Sequence, residues 1–275
     1  MIRSSRPPFP FTLLRFWFFR ILPAWLGMAA VIFLMQIAVA AIVHDNANVK
    51  TFLSILRHLP SIVRTAIGGD LVESGSMTAL LTVGYQHPLV MFLYLVYSVG
   101  VPAGLLSGEI QRGTMELILS RPITRTQVYI CAAILTLVGL FGLIAMMFLG
   151  TLASVHIYTF DEPVTLDIFL RLSACAALLA GAFGAFSLVC AASFGRLYLA
   201  GGVAAAFLTL NYFIAIVSEW WPRVHFLHKA TLFYLVYYSN LWYAWPVENM
   251  AWLGGILMAL VILGGIIWRC RDLPS

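Results

Sequence analysis

Six uninterrupted apolar runs, none containing an Asp, Glu, Lys, Arg or His, constrain this chain more than any other feature. They are Ala24–Val43, Pro88–Ser107, Val128–Leu152, Leu172–Ser193, Leu199–Ser218 and Met250–Trp268. Each has the roughly 20 residues that a helix rising about 1.5 Å per residue needs to cross a hydrocarbon core. A backbone in lipid must satisfy its own hydrogen bonds, so it spans as a helix or a closed barrel. These runs are continuous and do not alternate, which points to helices. The chain is 62% hydrophobic and 10% charged, whereas soluble domains are about a quarter charged. No water-soluble fold of 275 residues hides that much apolar surface. The expectation is an all-α membrane protein with six transmembrane helices, one membrane domain over 1–275 and no soluble domain.

The first run is too long for a cleaved signal peptide, and no polar mature region follows it. Before it, Arg15 and Arg20 sit among Phe16, Trp17, Phe18 and Phe19. That pattern predicts an interfacial helix over Phe11–Leu22, arginines toward headgroups and aromatics toward acyl chains. Pro23 would then turn the chain into span 1. The competing reading is one long, tilted span with basic flanks.

Basic residues set the orientation. With a cytoplasmic N-terminus, the inside segments 1–23, 108–127, 194–198 and 269–275 hold ten Arg and no Lys in 55 residues. The outside segments 44–87, 153–171 and 219–249 hold six basic residues in 94. This is the positive-inside asymmetry, so both termini are expected in the cytoplasm. The formal +5 charge comes from that asymmetry, and no basic stripe suggests nucleic acid. Cys131, Cys175, Cys190 and Cys270 lie in spans or at the cytoplasmic end, so no disulfide framework is expected.

Outside, an amphipathic helix is expected around Val49–Ile67, with Gly68, Gly69, Gly75 and Gly84 breaking the stretch after it. The segment 219–249 carries Trp220, Trp221, Tyr234, Tyr237, Tyr238, Trp242, Tyr243 and Trp245, and reads as an interfacial belt or a re-entrant structure. A lipid or drug pocket is its functional alternative. Within the spans, Ala177, Gly181, Gly184 and Ala185, the pair Gly139 and Gly142, and the glycine pairs of spans 5 and 6 favour close helix packing.

No span carries an ionisable group, which argues against ion- or proton-driven transport. Gln36 and Asn211 are the main intramembrane amides. They line a substrate pathway or hydrogen-bond a neighbouring helix. All six histidines lie outside, so an intramembrane nucleophile would lack its base. His225 and His228 lack a third metal ligand. The chain has no P-loop and no Gly-rich dinucleotide motif. Neither a catalytic residue nor a metal site nor a cofactor is expected in it.

The stretch between spans 2 and 3, Gly108 through Arg125, is the one specific motif. Gly108 is expected to end span 2, and Gly113 to break the backbone. Thr114 would start a short helix with Glu116 near its positive end. Ser120-Arg121-Pro122 would stop it. Thr124 and Gln127 form a capping box for span 3. A short cytoplasmic helix would thus be held between two spans.

The pattern E-x-x-x-G-T-x-E-x-x-L-S-x-P-[IV]-[ST]-R runs from Glu109 through Gly113, Thr114, Glu116, Leu119, Ser120, Pro122 and Ile123 to Arg125. With six spans, an N-terminal interfacial helix and a long first outside loop, it resembles the type-2 ATP-binding-cassette permease family. Relatives often place a Lys shortly after the motif, where this chain has Tyr129, Ile130, Cys131 and Ala132. The resemblance implies a coupling helix seated in a groove of a separate cytoplasmic P-loop ATPase, which binds the ATP and Mg. It implies a second permease subunit, identical or not, a bacterial inner-membrane location and outward movement of substrate. Glu109, Glu116 and Arg125 would make polar contacts with the ATPase; Gly113, Thr114 and Pro122 would shape the loop. Two other readings stay open: a scaffold that assists maturation of an exported enzyme without moving a solute, and an intramembrane lipid-modifying enzyme, against which the uncharged spans speak.

Overall fold

A computed structural model describes residues 9–45, 76–236 and 241–272, together with Val49, Ser54 and His58. Among the described residues the chain is helical, without strands. Six helices are long and apolar enough to cross a membrane: span 1 Phe11–Val43, span 2 Met77–Gln111, span 3 Arg125–Ile157, span 4 Leu166–Ser193, span 5 Leu197–Ser218 and span 6 Val247–Cys270. Each expected run therefore lies inside a helix, and most of the helices extend past the run by several residues. Apart from Val49, Ser54 and His58, the amphipathic helix expected around Val49–Ile67 lies outside the described residues, as do the glycines at 68, 69 and 75, Arg3, Arg6, Tyr237 and Tyr238.

Span 1 corrects the expected turn at Pro23. Phe11–Val43 is one 33-residue helix with Pro23 inside it, about 50 Å long at 1.5 Å per residue. Packing accounts for its continuity. Leu13 and Trp17, before the proline, are buried, as are Ala29 and Ile32 after it. Trp17 sits with Leu106, Val128, Tyr129 and Trp268 in a core at the basic end of the bundle. That burial offsets the single backbone bond a proline removes. Phe11, Phe16, Phe18 and Phe19 remain exposed on the other side of the same helix.

Span 2 is segmented. Met77–Gln86 is a separate helix capped by Ser76. The chain turns at extended His87, and Pro88–Pro102 comes next with its proline at the first position. Pro102 donates no backbone bond, and the next five residues, Ala103–Ser107, form a π-helical turn. Gly84 thus corrects the expected break: it lies inside a helix. A methyl there would overlap Gln36 Oε1 and lie 3.1 Å from Met147 Cε. Its glycine is a packing requirement, because the Gln36 amide fills the space.

Other glycines behave alike. A Cβ on Gly139 would overlap the Tyr97 hydroxyl, and one on Gly142 would come within 2.9 Å of Trp25 Cζ2. The Tyr97 hydroxyl donates to Leu135 O at 2.9 Å and Trp25 Nε1 to Gly139 O at 2.9 Å. Gly264 leaves room for Tyr129, whose hydroxyl donates to Val261 O at 2.8 Å. These small residues admit aromatic side chains carrying hydrogen bonds across the bundle. Gly184 and Gly181 of span 4 instead face Leu140 and Leu257 of spans 3 and 6. Span 4 is the most buried of the six and forms the hub.

Candidate functional site

The site is the basic end of the bundle, where the chain passes from span 2 to span 3. Span 2 does not stop at Gly108, as expected, but runs on through Gly108–Gln111. It ends at Gly113, the only described residue with positive φ, at 72°. That left-handed conformation suits glycine and strains other residues. No heavy atom outside its own backbone lies within 4 Å of its Cβ position, so the requirement is conformational.

Thr114–Leu119 is a six-residue helix with Gly113 as its cap. Thr114 begins this helix but does not cap it. Its hydroxyl donates backward to the Glu109 carboxylate and to Glu109 O at 3.2 Å. Ser120 ends the helix before Pro122. The capping box then opens span 3: Gln127 N donates to Thr124 Oγ1 at 3.2 Å, and Thr124 N to Gln127 Oε1 at 2.9 Å.

Glu109, expected from the resemblance to contact a partner chain, is the most constrained residue here, and its bonds are made within the chain. It is only 4% exposed. Its Oε1 accepts from Arg20 at 2.5 Å and from Arg112 at 2.9 Å. Oε2 takes the Thr114 hydroxyl. Three donors satisfy most of the acceptor capacity of this nearly buried carboxylate. It ties span 1 to the loop. Arg20, expected from sequence to face headgroups, supplies that tie, and its guanidinium also lies 5.9 Å from the Phe16 ring.

Further bonds stitch the same end together. Ser107 Oγ lies 3.0 Å from Ala191 O and 2.9 Å from Phe194 O, the end of span 4. Leu197 N, the start of span 5, donates to Gln111 Oε1 at 2.7 Å. Arg125 donates to Arg271 O at 2.7 Å, and its own carbonyl accepts from Trp268 Nε1 at 2.9 Å. Arg271 donates to Ala192 O at 2.8 Å. Partial burial holds its guanidinium somewhat below the ordinary arginine value. Residues 107–125 are thereby bonded to the ends of spans 1, 4, 5 and 6. Glu116, Leu117, Ser120, Arg121 and Pro122 are exposed, as are Gln111, Arg112, Gly113, Thr124 and Arg125 beside them. Leu117 is 69% exposed, an apolar residue at the tip. Met115, one residue before Glu116, is buried against the bundle.

The two amides lie near the opposite end, and the structure does not bring them together. Gln36 Nε2 donates to Leu81 O at 3.3 Å, pinning the Met77–Gln86 helix to span 1. Asn211 Oδ1 accepts from Leu232 N at 3.1 Å, pinning the short 3₁₀ segment Leu232–Leu235 to span 5. Another 3₁₀ segment, Pro222–Ala230, carries His225 and His228, with ring centroids 6.0 Å apart. Burial, then the neighbouring His225, pushes the His228 pKa down. Among the described residues no three His, Cys, Asp or Glu side chains gather into a metal site. No protein-family model and no curated protein matches the chain.

Proposed function

We propose that the chain is the membrane-spanning subunit of an ATP-binding-cassette exporter, powered by ATP hydrolysis in a separate cytoplasmic P-loop ATPase. Gly108–Arg125 is then the coupling segment, and the basic end that carries it faces the cytoplasm of a bacterial inner membrane. Phe11–Leu22, continuous with span 1, lies at the cytoplasmic interface, where its exposed phenylalanines meet acyl chains. Two such permease subunits, identical or not, pair above two ATPases.

One observation carries the reading. The short helix Thr114–Leu119 presents an outward face while its base is bonded to four other helix ends. A protein pushing on Leu117 moves spans 1, 4, 5 and 6 as well as the two spans flanking the loop. A plain hairpin needs caps, which are present, but not a buried carboxylate with three donors.

Roles within the motif divide accordingly. Glu116, Leu117, Arg121 and Pro122 form the docking face; Glu109, Thr114 and Arg125 hold that face to the bundle; Gly113 sets the bend. A pull-down of the tagged chain in gentle detergent, with ATPase activity assayed on the eluate, tests the proposal. Co-purification of a P-loop ATPase, lost on Glu116→Lys with Leu117→Asp while the chain stays monodisperse, is the expected result. Unchanged association in that variant refutes the docking face.

A further inference from the structure

An apolar cavity of about 300 Å³ lies between spans 2, 4 and 5. Its walls include Met91, Leu95, Ala180, Phe183 and Leu208, and Phe233 from the 3₁₀ segment Leu232–Leu235. The volume falls at the low end for small-molecule pockets. The composition is more apolar than such pockets usually are. Its few polar wall groups include Ser98, whose hydroxyl already donates to Leu95 O at 3.0 Å.

Depth decides the occupant. Along span 2 the walls run from Pro88, at the end remote from the 108–125 loop, to Ser98. Those ten residues cover about 15 Å at 1.5 Å each, half of a hydrocarbon core about 30 Å thick. The cavity therefore occupies one leaflet's depth. Phe233 packs at 5.7 Å from the Phe183 ring and 5.6 Å from Tyr212. The Asn211–Leu232 bond fixes the segment that carries it. An almost purely apolar space, one leaflet deep and walled in part by an aromatic ring, matches a hydrocarbon chain in depth and polarity.

We propose that this cavity binds one acyl chain of a membrane lipid from the leaflet opposite the 108–125 loop, with Phe233 as part of its wall. The chain enters beside Pro88 and extends toward Ser98. Its headgroup stays at the surface beside residues 222–235. Asn211 is then a positioning residue for Phe233, through the Leu232 amide, and does not contact the guest. The proposal needs no ATPase partner, so it stands or falls apart from the exporter reading.

The full chain, reconstituted in phosphatidylcholine vesicles doped with a phosphatidylcholine bearing a diazirine in one acyl chain, provides the test. After photolysis, adducts are mapped by mass spectrometry. They are expected on residues 88–98, 176–183 and 208–212, above the level on the lipid-exposed residues Val138 and Phe213. Ala180→Phe fills the cavity. The ring displaces about two guest methylenes, each worth a factor of about four, so cavity adducts fall about 16-fold. Labelling at Val138 and Phe213 stays constant. Should Ala180→Phe fail to give a monodisperse protein, Ala176→Leu replaces it under the same criterion, with a smaller fall. Adducts spread evenly over the exposed faces, or cavity adducts untouched by the filling variant, overturn the proposal.

Discussion

Breaking the Arg20–Glu109 pair separates a tie within the bundle from a contact made to a partner. The perturbations are Glu109→Gln, Arg20→Met and the two together. The Glu109 side chain is 5% exposed and Arg20 37% exposed, at 2.5 Å. A hydrogen bond to a charged group contributes about 1.5–3 kcal/mol when shielded, and an exposed ion pair about 0.2–1 kcal/mol. With one partner buried and the other over a third open to solvent, the coupling energy is about 1–2 kcal/mol. Arg112 adds little, because its side chain is 51% exposed. Glutamine at 109 still accepts from Thr114, so the cycle isolates the charge. The assay is reversible unfolding in mixed detergent micelles followed by circular dichroism, with buried Cys131, Cys175 and Cys190 reporting opening through thiol labelling. A coupling energy below about 0.3 kcal/mol, the additivity expected of independent sites, refutes the tie. The functional arm has a separate outcome. If the proposed coupling holds, Glu109→Gln leaves the ATPase bound but lowers substrate-stimulated hydrolysis, whereas Glu116→Lys weakens association itself.

Gly84→Ala should destabilise by about 1–3 kcal/mol through overpacking against Gln36 and Met147, with partial recovery in Gly84→Ala combined with Gln36→Ala; the same unfolding titration checks both. Gly113→Ala should cost about 1–2 kcal/mol because its φ is 72°, and Gly113→Asn less, read as thermal stability in detergent. Asn211→Leu should leave the Leu232 amide without its acceptor and raise hydrogen exchange across 231–236, with spans 1 and 3 unaffected. His228 has its pKa lowered in the fold by burial and by His225, so the unfolded segment binds protons more readily. The segment therefore keeps its stability above the ordinary value of 6.5 and loses it as pH falls from there through the lowered folded value. Proteolytic susceptibility of 222–235 between pH 7.5 and 5 reads that loss, and His228→Gln abolishes the dependence.

The spans are legible in the sequence because their signal is local. Twenty apolar residues without a charge leave a chain in lipid one helical solution, and all six runs are helices. The capping box at Thr124 is equally local, since both partners lie within four residues. Inference resting on one residue type fails. Pro23 reads as a turn, yet buried Trp17 on one side and Ile32 on the other keep the helix whole. Gly84 reads as a breaker, yet it exists for a side chain of span 1. Gly108 reads as the helix end, but the left-handed position falls five residues later at Gly113. Arg20 reads from its neighbours as a headgroup ligand. Its partner lies 89 residues away, and nothing in the local pattern announces a pairing at that distance. Leu117 is detectable in principle: in a six-residue helix with Met115 buried, the residue two positions on lies nearly opposite.

The two ends of the bundle are held by different arrangements of bonds, and the difference bears on what a push at the loop moves. At the basic end a carboxylate binds two guanidinium groups and a hydroxyl, and Arg125 and Arg271 bridge to neighbouring helix ends. Charge-assisted bonds of this kind are roughly twice as strong as neutral ones. At the far end the Met77–Gln86 helix is tied to span 1 by one neutral amide bond at 3.3 Å and the 3₁₀ segment to span 5 by another at 3.1 Å. Each contributes about 1 kcal/mol. A displacement applied at Leu117 meets a base that moves as a unit. The far end has charged ties of its own, from Met77 N to the Glu162 carboxylate at 3.4 Å and from Arg171 to Leu241 O at 3.2 Å. The loop end differs in that its ties run to spans 1, 4, 5 and 6 from one short stretch of chain, so a displacement there is shared by most of the bundle.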